Sequence, residues 1–190
     1  MFSYFGVLIS VILGLALTHL VRGLSKLVQM RDTVKVYWVH VVWTFNIIIY
    51  VLCLWWGMYW WNNLNEWTFE LFGFLAAYST LVFVVASLLY PSEFPRDMDF
   101  EAYYYNNQRW FFGLLFASYA IDIPETYWKS VVHLREVPAP YVVFLPTLLI
   151  IVGTAALSGN RKVQAALCII SLMLQLAYVN MSALQRIVAH

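Results

Sequence analysis

Apolar residues fill long, nearly uninterrupted runs, and polar residues gather in the short gaps between them. A helix needs roughly 20 apolar residues to cross the hydrocarbon core of a bilayer. Six stretches meet or approach that length: 2–21, 36–60, 67–90, 104–123, 141–157 and 163–184. The fourth is the poorest, because a window ending at Asp122 takes in Asn106, Asn107, Gln108 and Arg109. The longest gaps, around 91–107 and 124–138, fall well below the ~50 residues of a small folded domain. The pattern predicts an all-α, polytopic membrane bundle of six transmembrane helices, one integral membrane domain over 1–190. Any function then has to be built from helix faces and short loops.

Charge sets the expected orientation. Arg22, Lys26, Arg31, Lys35, Arg96, Arg109, Arg161 and Lys162 fall on one side of such a bundle, and Lys129, Arg135 and Arg186 on the other. The side richer in Lys and Arg is the inner one, so both termini are expected outside. The first run has no basic residue before it and no small-x-small cleavage site after Leu17, so it reads as a retained span rather than a secretory leader. Tyr37 and Trp38, then Trp60, Trp61 and Trp67, then Tyr127 and Trp128 stand where interfacial anchors belong. Between the third and fourth spans, Asp97 or Asp99 is expected to cap an interfacial helix, with Phe100, Tyr103 and Tyr104 in the headgroup layer. Pro124 is expected to kink or end the fourth helix.

Composition agrees with this placement. Hydrophobic residues make up 63% of the chain and charged residues 11%, against about 45–50% and about 25% in soluble domains. So little charge cannot cover a water-facing surface. The net charge of +1 excludes an electrostatic nucleic-acid binder. Cys53 and Cys168 lie in apolar runs, too far apart for a metal-ligand spacing. The bilayer is the expected partner, with a homo-oligomer as the second, and a bacterial inner membrane is the expected setting.

The chemistry that remains lies on helix faces. Gln164, Cys168, Ser171, Gln175, Tyr178, Ser182 and Gln185 recur at steps of four and three in the sixth span, which keeps them on one face. Lipid cannot satisfy amides and hydroxyls, so this stripe must meet other helices, water or another subunit. Asn46, near the middle of the second span, needs a partner for the same reason, and Gln175 lies at the matching depth. Gly6, Ser10, Gly14 and Thr18 form a small-xxx-small ridge on the first span, a helix-packing device. His19 and His40 sit at similar depth on neighbouring spans. They suit proton sharing, ligation, or simple bonds to backbone carbonyls. Arg109 can snorkel to the interface or join His19, His40 and Arg22 in a basic vestibule. Glu70 and Asp122 are placed to line an acidic outer mouth.

There is no Gly-rich phosphate loop, no His-Glu-x-x-His pair, no Cys-x-x-Cys and no Gly-x-Ser-x-Gly elbow. No catalytic residue, metal or cofactor is predicted. The residues favour a small transport or channel protein, its path running along the sixth span from Glu70 and Asp122 to Arg109, His19 and His40. The alternatives are a non-catalytic scaffold, sensor or accessory subunit, and an intramembrane redox or lipid-modifying enzyme using His19 and His40. A dry, hydrogen-bonded Asn46–Gln175 face argues for the scaffold, and a water-lined cavity there argues for transport.

Overall fold

Hydrocarbon offers no partner to a backbone amide, so long apolar runs satisfy their own N–H and C=O groups as helices. The computed structural model describes the backbone of residues 2–64 and 66–188, and the side chains of 6–64 and 66–181. Among these residues there are six α-helices and no sheet: α1 (Phe2–Gln29), α2 (Trp38–Met58), α3 (Phe69–Ser87), α4 (Phe100–Val131), α5 (Tyr141–Leu157) and α6 (Arg161–Val188). A short 3-10 helix, Tyr59–Asn63, continues α2.

Four segments are long and apolar enough to cross a membrane: Gly6–Gln29, Trp38–Asn63, Phe69–Ser87 and Arg161–Met181. The expectation of six such runs is therefore met only in part. At 17 residues, α5 measures about 25 Å at 1.5 Å per residue. Helix α4 is long, 32 residues, but rich in polar groups. Their placement explains the shortfall. Gln108, Ser118, Glu125 and Lys129 of α4 are buried, while Trp110, Phe116, Ile123 and Tyr127 face outward. The helix turns its polar side in and its apolar side out, so a hydropathy average conceals its character. Phe69, Val143, Ile150 and Leu157 are at least two-thirds exposed. An apolar exterior around a partly polar interior is the inversion expected of an integral membrane protein.

Each helix packs on two neighbours to close a ring in the order α1, α2, α6, α5, α4, α3, with α2 also reaching α3 and α4. Two ends follow. At the basic end the 30–37 and 88–99 loops clasp each other: Lys35 N–H donates to Met98 O (2.9 Å), Phe100 N–H to Lys35 O (3.0 Å) and Asp97 N–H to Thr33 O (2.9 Å). Asp99 caps α4 by accepting the Glu101 and Ala102 amides. The Ala102 amide, with that of Glu101 and the Lys35 ammonium, holds the Asp99 carboxyl below its ordinary range. A lowered pKa means this cap contributes above the ordinary Asp range and is lost as pH falls through the lowered value.

The expectations for this region are met in part. The helix expected to start at an Asp97 or Asp99 cap begins at Asp99 as the first turns of α4, and it is residues 88–99 before it that form the clasp. Phe100 and Tyr104 are buried in the bundle rather than lying among headgroups, because α4 begins at the Asp99 cap and turns both rings inward. Of the two outcomes expected at Pro124, an end to the helix does not occur, since α4 runs on to Val131. Beyond the proline its Glu125 and Lys129 side chains are enclosed in the bundle, which holds that last segment in place.

Gly23 marks a close approach of chain to chain. A Cβ there would lie 2.2 Å from the Tyr90 ring, and that ring is fully enclosed. Nothing lies within 4 Å of a Cβ at Gly73. Gly23→Ala is expected to cost about 1–3 kcal/mol through overpacking, read as a lower melting temperature in detergent. Gly73→Ala should melt no lower than the parent.

Candidate functional site

The buried polar groups form three layers along α2, and most of them bind each other. The middle layer is the Asn46 pair. Gln175 Nε2 donates to Asn46 Oδ1 (2.8 Å) and lies 3.4 Å from Ser171 Oγ. Asn46 Nδ2 donates to the Val42 and Cys168 carbonyls (2.9 and 3.2 Å). Both amide protons and the amide oxygen of Asn46 are thus used, which removes a penalty of roughly 1–3 kcal/mol for each unmet group.

The described part of the α6 stripe, from Gln164 to Tyr178, turns inward. Gln164, Cys168, Ser171 and Gln175 are buried. Tyr178 is half-buried and stacks on Phe144 of α5 with ring centroids 4.1 Å apart. The side chains of Ser182 and Gln185 lie outside the described residues.

At the basic end the same stripe finishes a helix. Gln164 Nε2 donates to the carbonyls of Ala155 (2.7 Å) and Ser158 (2.6 Å), and Gln108 Nε2 donates to the same two at 2.6 and 2.8 Å. These are carbonyls left without intrahelical donors where α5 stops. Tyr104 completes the group by donating to Gln164 Oε1 (2.6 Å).

The two histidines meet through Tyr90. His19 Nε2–H donates to the Tyr90 carbonyl (3.2 Å). His40 lies edge-on to the Tyr90 ring, centroids 5.0 Å apart. Thr44 binds the Tyr90 hydroxyl (3.0 Å). Among the described residues no bond joins His19 directly to His40. The expected vestibule does not form. Arg109 and Arg22 are exposed while His40 is 1% exposed. Helical geometry explains the separation: Arg109 is about 200° around α4 from Asn107, which faces His40, at 100° per residue.

The opposite end holds the ionisable cluster. Asp122 of α4 accepts two phenols, Tyr78 of α3 on Oδ1 (2.8 Å) and Tyr141 of α5 on Oδ2 (2.7 Å). Tyr50 of α2 lies 2.9 Å from the Tyr78 hydroxyl. The Tyr78 proton is committed to Asp122, so Tyr50 is the donor. Four helices are joined through one carboxylate. One turn on, Glu125 accepts Trp61 Nε1 (2.8 Å) and pairs with Lys129, whose ammonium also lies over the Trp61 ring. Lys129 offsets Glu125, and among the described residues no cation pairs with Asp122. Glu70 is exposed at the start of α3 and stands apart from this cluster.

The small-residue ridge is turned the other way from the core. Gly14 and Thr18 are exposed, Gly14 has open space beside it, and Ser10 accepts the Trp55 indole (3.2 Å). The buried face of α1 is instead Ile9, Leu13, Ala16, Leu20 and Leu27. Gly6 and Ser10 line an apolar groove with Trp55, Trp56 and Tyr59.

Reading the residues alone missed Tyr78, Tyr141, Trp61 and Lys129. Two signals were present. Lys129 stands four residues after Glu125, a helical ion-pair spacing. Tyr78 lies nine residues inside α3, too deep for an interfacial anchor. No protein-family model matches the chain, and neither the curated proteins nor the solved structures include a significant match.

The enclosed pair sets a measurable asymmetry. Lys129→Met leaves the Glu125 charge alone and should cost about 3–5 kcal/mol, whereas the double variant Lys129→Met with Glu125→Leu should recover most of that loss. Thermal unfolding of the single and double variants in detergent gives the comparison.

Proposed function

We propose that this chain is a non-catalytic integral membrane protein that serves as a scaffold, sensor or accessory subunit. The carrying observation is that the α6 amides are spent on neighbouring helices: Gln175 on Asn46, and Gln164 on the end of α5. Amides spent in this way on neighbouring helices are not free to line a path for a solute. The ridge Gly6, Ser10, Gly14 and Thr18 supports the same reading, since small residues turned away from the core suit a second helix.

The proposal places all six helices across the bilayer with both termini outside. Helix α4 reaches both ends of the bundle, from Gln108 at the α5 terminus to Glu125 at Trp61. Helix α5 runs alongside it from Tyr141 to Ala155. The distribution of Lys and Arg puts the basic end inside.

A second reading, transport of a proton or small cation, is favoured by one observation. The Tyr50–Tyr78–Asp122 chain carries into the bundle a carboxylate that no cation among the described residues pairs with. From Tyr50 to Thr44 is six residues, about 9 Å along α2, and that interval holds the buried Ile47. Transport along this line would need water to bridge the interval.

Proteoliposomes distinguish the readings. Folded protein is expected to pass no proton, sodium or potassium current above empty vesicles. A current abolished by Asp122→Asn would establish the second reading, and one that survives Asp122→Asn would return the path to α6. For the first reading, Gly14→Cys is expected to crosslink to another helix in native membranes, while a cysteine at the equally exposed Val143 should not. Equal crosslinking at both positions would remove the ridge as a contact.

A further inference from the structure

His40 is enclosed by aromatic rings. Tyr90 and Phe100 lie 5.0 and 5.3 Å away between centroids, Tyr103 and Tyr104 at 6.2 and 6.3 Å. It is 1% exposed, and neither ring nitrogen has a hydrogen-bond partner among the described residues. The Leu89 carbonyl lies near the ring as a weak acceptor for its N–H. A neutral imidazole carries one donor and one acceptor, and buried groups of this kind are rarely left unmet.

Beside the ring is a cavity of about 10 Å³, lined by His40, Leu88, Leu89, Tyr103, Tyr104, Asn107 and Phe111. A cavity holds one water once it reaches roughly 10–15 Å³, provided that two to four polar groups surround it. Those groups are present. Asn107 Nδ2 donates to the Tyr103 carbonyl (3.0 Å), which leaves its oxygen to accept. The Tyr103 hydroxyl spends its proton on the Leu88 carbonyl (3.0 Å) and keeps a lone pair. Tyr104 is committed to Gln164.

We propose that this cavity is a binding site for a single water that joins His40 to Asn107. The water donates one O–H to the unprotonated imidazole nitrogen and the other to the Asn107 side-chain oxygen, with the Tyr103 hydroxyl oxygen as its alternative acceptor, and the imidazole N–H is left to the Leu89 carbonyl. The chemistry excludes other ligands. No Lys or Arg lines the cavity to hold an anion, no carboxylate or thiol lines it to hold a metal, and the volume admits nothing larger than water. Asn107 is half-buried, so the site exchanges with the basic-end solution through that residue. His40 then communicates with water although its own ring has no exposed surface. This holds whichever function the bundle serves.

The test uses the full chain, labelled with ¹⁵N-histidine and reconstituted in phospholipid bilayers. Water-edited solid-state NMR follows magnetisation from water to each imidazole, with His40 assigned through Val39. His40 is expected to receive water magnetisation, and Asn107→Leu should reduce that transfer several-fold while exposed His133 is unchanged. A His40 signal that stays dark while His133 responds would overturn the site. Transfer to His40 undiminished in Asn107→Leu would overturn Asn107 as the bridge. If Asn107→Leu fails to fold, the parent spectrum alone decides whether His40 holds water.

Discussion

A carbonyl or amide in hydrocarbon has nowhere to turn but to another part of the protein, and this single constraint organises the bundle. It decides which face of α6 points inward, why two glutamines converge on the end of α5, and why α4 runs with its polar side hidden. Packing alone would allow many arrangements of six apolar helices, because lipid tails are as apolar as leucine. Satisfying each buried amide leaves far fewer. Asn46, with three of its bonding positions met by α2 and α6, fixes the depth and rotation of one helix against another.

Charge follows the same rule with higher stakes. Glu125 and Lys129 are both enclosed, and each is tolerable only because the other is present, with Trp61 giving a third contact. Asp122 is handled differently, by phenols from two helices and, among the described residues, no cation. The contrast separates an ion pair from a carboxyl group held by neutral donors. That difference keeps transport in view as a second reading beside the proposed closed Gln175 face.

Periodicity exposed much of this in the residues themselves. The α6 stripe was legible because seven polar side chains recur at three- and four-residue steps among Leu, Ile and Ala. The Asn46–Gln175 contact was legible because depth follows from helix rise. Other features could not be read. A small-residue ridge reveals that a close approach is allowed, not whether the approaching helix belongs to the same chain, and here Gly14 and Thr18 face outward. Arg109 and Asn107 are two residues apart, and only the rotation of α4 shows that one faces out and the other in. The tyrosines of the Asp122 cluster were hidden by their abundance: with 13 in the chain, those that anchor and those that bind look alike until α3, α4 and α5 are brought together.

The central claim is that the α6 polar face is dry. Its most direct test is thiol accessibility at Ser171, the small buried residue of the stripe one turn from both Cys168 and Gln175. A Ser171→Cys variant, with Cys53 and Cys168 replaced by alanine, is treated in membranes with a small water-soluble maleimide from both sides. An Asn160→Cys variant in the same background, in the exposed turn before α6, serves as the reactive control. The account predicts rapid labelling at 160 and none at 171. Labelling at 171 at a rate near that of the control would mean that water reaches the stripe, and the closed, scaffold-like bundle described above would be contradicted.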